Sequence, residues 1–296
     1  MRIFSVAGLQ LELSKGDNLE RIGLEVRAAK RRLPWVDMIV LSELSAYGAS
    51  LDSAESRGGH AETEFCRLAR DNGVWLIPGS IYERDGSDIF NVAPVINPDG
   101  RIVARYRKIF PFYPYEQGVA PGKDFCVFDV PGVGRIGLSI CYDIWFPEVQ
   151  RTLAFMGAEI LIAPSLTNTI DRDVELAFVR ANAAANQCYM INVNGAGSLG
   201  FGRSIACGPG GEILHQAGTG YEVIALEFDL DVVTRARERG WNGLGQVVKS
   251  FRDNEVCFPV YAPGAKSAAF DELGELAKPK SMAAAPDAPP LRQLKR

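Results

Sequence analysis

The sequence predicts an α/β protein with a mixed β-sheet, and three observations support that prediction. Short apolar runs typical of buried strands alternate with amphipathic helical patterns over residues 3–77. Residues 90–106 show two strand-like runs around the turn Pro98-Asp99-Gly100, which is typical of an antiparallel hairpin. Further helix and strand patterns follow to about residue 240. A chain of 296 residues, 47% of them apolar, is long enough to bury a full core.

The first part of the chain predicts the order strand, helix, strand, helix, strand. Strands are expected at residues 3–11, 38–41 and 74–77. The first helix is indicated by apolar residues at helical spacing, which are Leu19, Ile22, Val26, Ala29 and Leu33. Asp17 with Glu20 is suited to capping its start. A second helix is expected over residues 61–72, ending at Gly73.

The later elements are predicted in the same way, from short apolar runs separated by helical patterns. Strands are expected at residues 90–97, 101–106, 134–140, 160–163, 189–194 and 221–228, with a hairpin around 208–211. Helices are expected from Pro147, over residues 173–186, and from Asp231. From Lys266 onward the chain is rich in Ala, Pro and Lys. We therefore expect one domain over residues 1–265 and a tail over 266–296 that is partly disordered or docks on a partner subunit.

Composition excludes several classes of function. The net charge of -4, with basic and acidic residues interspersed, disfavours a nucleic-acid partner. No apolar run approaches the eighteen residues of a membrane span, and the first ten residues lack a signal-peptide pattern, so we expect a cytoplasmic protein. The six cysteines are far apart and match no zinc or disulfide spacing. We expect no metal and no cofactor.

Three reactive side chains follow apolar strand patterns: Glu43, Lys108 and Cys141. Each alone is more often structural, but together they suit one chemistry. A thiol nucleophile needs a base, and a developing oxyanion needs a cationic or hydrogen-bonding partner. The two histidines, His60 in a loop and His215 beside a glycine-rich hairpin, are not expected at strand ends, which disfavours a Cys-His enzyme.

These segments resemble the nitrilase superfamily of carbon-nitrogen hydrolases over roughly residues 3–260. The family's catalytic Glu, Lys and Cys match Glu43, Lys108 and Cys141 in order, and its second Glu, eight residues after the Lys, matches Glu116. Further matching positions are Asn18, Asn91, Tyr106, Arg180, Ala181, Asn186, Gln187, Cys188, Tyr189, Gly202, Ser204, Pro209 and Gly211. The chain departs from the family at Ser42, where proline is usual, and at Ala185, where an acid is common.

The resemblance implies a four-layer αββα sandwich with two mixed β-sheets and a site at the strand ends. It implies that Cys141 is the nucleophile, that Glu43 is its base, and that Lys108 holds the oxyanion. The Tyr142 backbone N–H is expected to assist, and Glu116 to orient Lys108 and the substrate. It also implies association through the helices near residues 148–156 and 173–186, so we expect a homodimer or a larger homo-oligomer.

The residues after Cys141 favour an amidase-like branch and a small linear amide as substrate. Nitrilases usually carry Trp-Glu directly after the Cys, where this chain has Tyr142-Asp143. N-carbamoyl amino acid hydrolases place an arginine soon after the Cys, which this chain lacks. The segment from Lys108 to Glu116 resembles short-chain aliphatic amidases and formamidases. The expected pocket walls are Tyr142, Trp145, Phe112, Tyr113 and Thr167.

Two alternatives stay open at the level of sequence. The same site can serve nitrile or N-carbamoyl hydrolysis, or acyl transfer to an acceptor other than water. A non-catalytic binding or scaffold protein of the same fold is the alternative from another class. It is disfavoured because such a protein has no need for all of Glu43, Lys108, Glu116 and Cys141.

Overall fold

The structure is a computed structural model that describes residues 1–278. Its strands are β1 (Ile3–Gln10), β2 (Glu12–Leu13), β3 (Met38–Val40), β4 (Glu55–Ser56), β5 (Trp75–Ile77), β6 (Ile81–Asp85), β7 (Asp88–Ile96), β8 (Ile102–Arg107), β9 (Cys126–Val130), β10 (Gly134–Leu138), β11 (Ile160–Ser165), β12 (Tyr189–Asn194), β13 (Ala196–Gly197), β14 (Ile205–Cys207), β15 (Ile213–Gln216) and β16 (Glu222–Asp229). Its helices are α1 (Leu19–Arg32), α2 (His60–Asn72), α3 (Pro147–Phe155), α4 (Arg172–Asn186), α5 (Leu230–Arg239), α6 (Val247–Arg252) and α7 (Ala268–Asp271).

The strands form two large sheets, both mixed. The first has eight strands in the order β16-β1-β3-β5-β7-β6-β4, with β8 also paired to β7. The second has six strands in the order β15-β14-β12-β11-β10-β9. Parallel pairs such as β1 with β3 and β10 with β11 lie beside antiparallel pairs such as β7 with β8 and β9 with β10. The remaining strands, β2 and β13, form a short parallel pair of their own.

Apolar clusters arrange these elements in four layers. Helices α1 and α2 pack on the outer face of the first sheet through a cluster that includes Ile22 and Phe65. The two sheets pack on each other through a second cluster, which includes Val6 of β1 and Ile162 of β11. Helices α3 and α4 cover the second sheet through a third cluster, which includes Leu153 and Val179. The predicted α/β class and the four-layer αββα sandwich are confirmed.

Most predicted elements are present within a few residues of their expected bounds, and the differences have local causes. Strands β6 and β9 were not predicted. Charged residues Glu83, Arg84 and Asp85 end the apolar run of β6, whereas β9 is a short apolar run with one acid, Asp129, and lies outside the predicted elements. The predicted cap is confirmed in part: Asn18 occupies the position before α1, and Asp17 accepts the N–H of Leu19, the first residue of α1, at 2.9 Å. His60 was expected in a loop but is the first residue of α2. Helices α6 and α7 were also not predicted.

The chain divides into two compact units. The first comprises residues 1–111 and 118–256 and contains both sheets. The second comprises residues 112–117 and the described residues from 257 onward, with the short helix α7. The predicted domain boundary at residue 265 stays a prediction, and residues 279–296 of the predicted tail lie outside the described residues. Among residues 1–278, no helix is both long and apolar enough to cross a membrane.

Candidate active site

Glu43 lies just beyond the end of β3, and both oxygens of its carboxylate accept hydrogen bonds. Its Oε1 accepts hydrogen bonds from Nζ of Lys108 and from Nδ2 of Asn91, both at 2.8 Å. Its Oε2 accepts from the backbone N–H of Leu166 at 2.9 Å. Its own N–H donates to the carbonyl oxygen of Ser165, at the end of β11 (3.2 Å). The carboxylate is buried and fixed in one orientation, and the end of the second sheet supplies part of its setting.

The turn that carries Glu43 depends on Gly79. Gly79 has a φ of +78°, and a Cβ there would collide with the carbonyl oxygen of Ser42, directly before Glu43. On the other side of Glu43, the N–H of Leu44 donates to Oγ of Ser80 at 3.1 Å. The segment after β5 therefore shapes the backbone on both sides of the carboxylate.

Lys108 directly follows β8, and its backbone is held on both sides. Its N–H donates to the carbonyl oxygen of Asn91 at 2.9 Å, and its carbonyl oxygen accepts from the N–H of Gly122 at 2.8 Å. The side chain is 2% exposed and forms an ion pair with Glu43. A buried ammonium or carboxylate is stable only when it is paired, so each group makes the burial of the other possible.

Cys141 begins a short 3₁₀ turn, Cys141–Trp145, beyond the end of β10. Its φ is +45°, a left-handed conformation that a cysteine rarely adopts without surrounding support. Asp143 provides part of that support, since its Oδ2 accepts the N–H of Ile140 at 2.9 Å. A conformation of this kind at the end of a strand turns the side chain out of the sheet's regular pattern.

Asp143 also links this turn to the strand that precedes Lys108. Its Oδ2 accepts the hydroxyl of Tyr106 at 2.7 Å, and its Oδ1 accepts the N–H of Phe110 at 2.9 Å. Tyr106 and Phe110 lie two residues before and after Lys108, so one carboxylate ties the Lys108 segment to the Cys141 turn. Burial raises the pKa of Asp143 to about 6, although these hydrogen bonds and the Lys108 ammonium oppose that rise.

The environment of Cys141 favours the neutral thiol in the free protein. Burial raises the pKa of the Cys141 thiol well above its usual value, and the Glu43 carboxylate raises it further. The Lys108 ammonium acts in the opposite direction, and the carboxylate of Glu175 adds to the rise. A thiol in this setting needs a nearby base to become a nucleophile.

Thr167 lies beyond the end of β11 and contacts the thiol. Its Oγ1 is 3.7 Å from Sγ of Cys141. Its hydroxyl donates to Oε1 of Glu175 at 2.9 Å, and its backbone N–H donates to Oδ1 of Asn194 at 2.8 Å. Of the five predicted pocket walls, Thr167 is the one whose contact with Cys141 the structure describes.

The other predicted site residues lie in two places. Tyr142 and Trp145 are half-buried on the turn after Cys141, and the Trp145 ring packs against Phe178 of α4 with ring centroids 5.0 Å apart. Phe112, Tyr113 and Glu116 lie in the second compact unit, where the N–H of Phe112 donates to Oε2 of Glu116 at 2.7 Å. Their predicted roles in the site stay predictions.

Both histidines lie outside the group formed by Glu43, Lys108 and Cys141. His60 begins α2, and Nε2 of His215 contacts Oε1 of Glu222 at 2.6 Å. Within residues 1–278, no group of three or more His, Cys, Asp or Glu side chains has the geometry to hold a metal ion. All six cysteines are free.

A comparison with known families decides where the chain belongs. The family model described as carbon-nitrogen hydrolase matches residues 5–238, which include Glu43, Lys108 and Cys141. The chain belongs to the carbon-nitrogen hydrolase family. The predicted family and the predicted enzyme class, a hydrolase of carbon-nitrogen bonds, are confirmed.

Known members of the carbon-nitrogen hydrolase family resemble the chain in sequence and in fold. The omega-amidase NIT2 of Homo sapiens is 30% identical over 258 residues, which cover 81% of this chain and 93% of the human protein. The crystal structure of Nit3 of Saccharomyces cerevisiae, a member of branch 10 of the nitrilase superfamily, matches with a TM-score of 0.74 and 29% identity. That match covers 80% of this chain and 94% of Nit3.

A bacterial structure supports the same fold. The carbon-nitrogen hydrolase of Helicobacter pylori G27 matches with a TM-score of 0.75 and 26% identity, covering 86% of this chain and 96% of the bacterial chain. The nitrilase-superfamily fold predicted from the sequence is therefore confirmed by solved structures as well as by the layer arrangement.

Several polar residues around the candidate site have contacts that the sequence does not predict. Asn91 matches the family and Asp143 marks the amidase-like branch, but the sequence indicates no contact for either of them and no role for Arg172, Glu175 or Asn194. A signal for two of them was present. Arg172 and Glu175 lie in helical phase with Leu176, Val179 and Ala183, so an arginine and an acid occupy the buried face of an otherwise apolar helix.

Proposed function

We propose that this chain hydrolyses the carbon-nitrogen bond of a small linear amide through a thioester on Cys141, releasing ammonia or an amine. The observation that carries the proposal is the buried Glu43 carboxylate, paired with Lys108 and close enough to Cys141 to raise the pKa of its thiol. A neutral thiol beside a fixed carboxylate and a fixed ammonium has both the base and the cation that acyl transfer requires.

In the proposed reaction, Glu43 takes the thiol proton as Sγ of Cys141 attacks the amide carbonyl carbon. A carbon-sulfur bond forms, and the carbonyl electron pair moves onto oxygen. Collapse of this intermediate breaks the carbon-nitrogen bond, and the proton on Glu43 passes to the leaving nitrogen. Glu43 then takes a proton from water, whose oxygen attacks the thioester carbon. Collapse of this second intermediate breaks the carbon-sulfur bond, and the proton on Glu43 passes to Sγ of Cys141, which releases the acid and restores the thiol. One carboxylate thus acts in turn as base and acid in each half of the reaction.

The oxyanion needs its own stabilisation, which we assign to Lys108 and the backbone N–H of Tyr142. The Lys108 ammonium is already in place, because its backbone and its ion pair with Glu43 are fixed before substrate binds. Glu116 is proposed to orient Lys108 and the substrate. Tyr142, Trp145, Phe112, Tyr113 and Thr167 are proposed to line the substrate pocket.

The choice of an amide rests on sequence and on relatives. The Tyr142-Asp143 pair after Cys141 is that of amidase-like branches, and the NIT2 relatives carry the name omega-amidase. We therefore propose a terminal amide on a short chain as the preferred substrate.

A panel of short terminal amides, nitriles and N-carbamoyl compounds tests the proposal, with released ammonia as the readout. Ammonia is expected from the amides, and not from the same panel with the Cys141→Ala variant. Ammonia from nitriles alone would contradict the amide assignment. Intact-mass detection of an acyl adduct on Cys141 during turnover checks the thioester.

We also propose a homodimer or a larger homo-oligomer that associates through α3 and α4. Phe155 at the end of α3 is 85% exposed, and Ile170, just before α4, is 91% exposed. Large apolar side chains so exposed beside two neighbouring helices suit a protein interface. Light scattering after size exclusion tests this: Phe155→Glu with Ile170→Glu should yield monomers, and wild-type monomers would contradict it.

A cytoplasmic location is the last part of the proposal. The six cysteines are free and Cys257 is exposed, as suits a compartment that keeps thiols reduced. Fractionation of cells with antibody detection checks the location, and recovery from a secreted or membrane fraction would contradict it.

A further inference from the structure

A chain of buried polar side chains runs from Cys141 into helix α4. Sγ of Cys141 lies 3.7 Å from Oγ1 of Thr167, which lies 2.9 Å from Oε1 of Glu175. The other carboxylate oxygen of Glu175 accepts from Nη1 of Arg172 at 2.9 Å. The four residues are between 2% and 8% exposed, so water does not compete for these contacts.

The direction of these hydrogen bonds follows from the number of protons available. Glu175 is paired with Arg172, and an ionised carboxylate only accepts. The single hydroxyl proton of Thr167 is therefore donated to Glu175. The Thr167 oxygen is left as an acceptor toward Cys141, and the only donor that Cys141 Sγ can offer it is the thiol proton.

The backbone of Thr167 is fixed independently of this chain. Its N–H donates to Oδ1 of Asn194 at 2.8 Å, and its carbonyl oxygen accepts from Nδ2 of Asn194 at 3.0 Å. Arg172 is anchored as well, because its Nε and Nη2 donate to the carbonyl oxygens of Gly202 and Arg203. The Thr167 hydroxyl oxygen, which faces the thiol, is therefore fixed in two ways: by the hydrogen bonds of the Thr167 backbone to Asn194, and by Glu175, whose partner Arg172 is itself anchored.

We propose that Thr167 and Glu175 are positioning residues that hold the resting thiol of Cys141 as S–H directed at Thr167 until substrate binds. The inference rests on the proposed function in one respect, namely that Cys141 is the nucleophile. It adds a role for the helix α4 side of the site: Thr167 sets the orientation of Sγ, and Glu175 withholds from the thiolate the one hydroxyl proton that would stabilise it.

The charged groups that face Cys141 from the packed elements are consistent with this role. Glu43 after β3 and Glu175 on α4 both raise the pKa of the Cys141 thiol, whereas Lys108 after β8 and the backbone N–H of Leu166 lower it. Arg172 on α4 is engaged with Glu175, and Asp143 on the Cys141 turn is engaged with Tyr106 and backbone N–H groups. The proton is therefore expected to leave Cys141 only when Glu43 takes it.

The test compares Thr167→Val, which removes the hydroxyl and keeps the shape, with Thr167→Ser, which keeps the hydroxyl. Alkylation of Cys141 by iodoacetamide is followed against pH without substrate, read at the Cys141 peptide by mass spectrometry. In Thr167→Val the midpoint should fall by about 0.5 to 1 pH unit, because a hydrogen bond to the protonated form is lost. In Thr167→Ser it should stay at the wild-type value.

Two outcomes overturn the proposal. A rise of the midpoint in Thr167→Val would mean that the hydroxyl donates to the thiolate, and an unchanged midpoint would mean that Thr167 does not act on the thiol. Thr63→Val is the matched control, since Thr63 is exposed on α2. Turnover gives a second readout: Thr167→Val should lower kcat by about threefold to tenfold with KM nearly unchanged.

Glu175→Gln sharpens the test because it removes a charge that disfavours the thiolate. When the amide oxygen stays with Arg172, the amide N–H group donates to Thr167, and the Thr167 hydroxyl is then free to donate to the thiolate. The midpoint should then fall further than in Thr167→Val. Glu175→Gln leaves Arg172 buried without its charged partner, so the thermal melting of this variant is measured first. If the variant does not fold, the proposal is tested by the Thr167 variants alone. Failure of the amide assignment would leave the alkylation shifts intact, since they are measured without substrate.

Discussion

The two sheets contribute unlike halves to the candidate active site. The first sheet brings its charges into direct contact, with Glu43 and Lys108 joined at 2.8 Å beyond strands β3 and β8. The second sheet brings the thiol, and the charged pair on the helix that covers this sheet, Arg172 with Glu175 of α4, is set back behind Thr167. Both pairs are buried, so each is stable only because its partner is present.

This difference between a preformed ion pair and a neutral thiol indicates what each half contributes to the proposed reaction. Fixed charges beside each other need little rearrangement when charge develops, which suits groups that stabilise a transition state. A thiol kept neutral by burial and by two nearby carboxylates reacts only when a proton acceptor is correctly placed. In the proposed reaction, the central event is a proton transfer from the second-sheet half to the first-sheet half.

Among the predicted changes to the two halves, removal of the Cys141 thiol is expected to have the largest effect on activity. Cys141→Ala should lower kcat/KM by about 10³-fold or more, because no other group can form the thioester. Thermal melting should change little, since the side chain is small. Cys257→Ala, at an exposed cysteine, is the control and should keep full activity. Residual turnover above one tenth of wild type in Cys141→Ala would refute the nucleophile assignment.

Removal of the ammonium from the first-sheet half is expected to be next in size. Lys108→Met should lower kcat by about 10²- to 10³-fold, as typical for loss of an oxyanion donor. It should also reduce the free energy of unfolding by roughly 3 to 5 kcal/mol, because Glu43 is left as a buried charge without its ion-pair partner. Denaturant unfolding and steady-state kinetics measure the two effects, with exposed Lys123→Met as the control. Unchanged stability would show that the pair is dispensable for the fold.

A substitution at Gly79 tests how strictly the backbone that carries Glu43 depends on the close approach of this glycine to Ser42. Gly79→Ala should lower the free energy of unfolding by about 1 to 3 kcal/mol and reduce activity, because the new Cβ collides with the Ser42 carbonyl. Gly58→Ala is a matched control: Gly58 has a φ of +77° but open space around its Cβ position. Equal losses in the two variants would attribute the effect to φ alone and not to the Glu43 turn.

The smallest expected effect concerns Asp143, which joins the two halves. Its pKa is raised to about 6 in the folded protein, above the value of an unfolded aspartate. Its stabilising contribution is therefore greatest below about pH 4 and is lost as pH rises through 6. The difference in unfolding free energy between wild type and Asp143→Asn should narrow by roughly 1 to 2 kcal/mol between pH 4.5 and 6.5.

The control for this pH dependence has the opposite sign. Exposed Asp129 has its pKa lowered by its hydrogen bond with Arg135, so its contribution is present at neutral pH and is lost in acid. The difference between wild type and Asp129→Asn should not narrow as pH rises. A gap for Asp143→Asn that widens with pH would contradict the assigned direction of its pKa shift.

Much of the fold was predictable because its signals are local. Apolar runs marked most strands, the helical spacing of Ile22, Val26 and Ala29 marked α1, and Gly73 marked the end of α2. Strand β6 was not predicted because three of its five residues are charged, and β9 was not predicted although its sequence, CVFDV, is mostly apolar, because a run of five residues is a weak signal. The αββα layering came from the family resemblance, since a sequence pattern does not state which sheet face meets which.

The candidate site also has a part that the sequence predicts and a part that only the tertiary structure shows. The sequence and the family resemblance that it carries predict Glu43, Lys108 and Cys141 as the reactive group, because their identity and order are local properties of the chain. Only the tertiary structure decided what surrounds them: Leu166 and Asn91 on Glu43, Asp143 between Tyr106 and Phe110, and the pair of Thr167 and Glu175 behind the thiol. The physical reason is that such contacts join residues far apart in the chain. Their hydrogen-bond directions depend on burial and geometry, which no run of residues encodes alone.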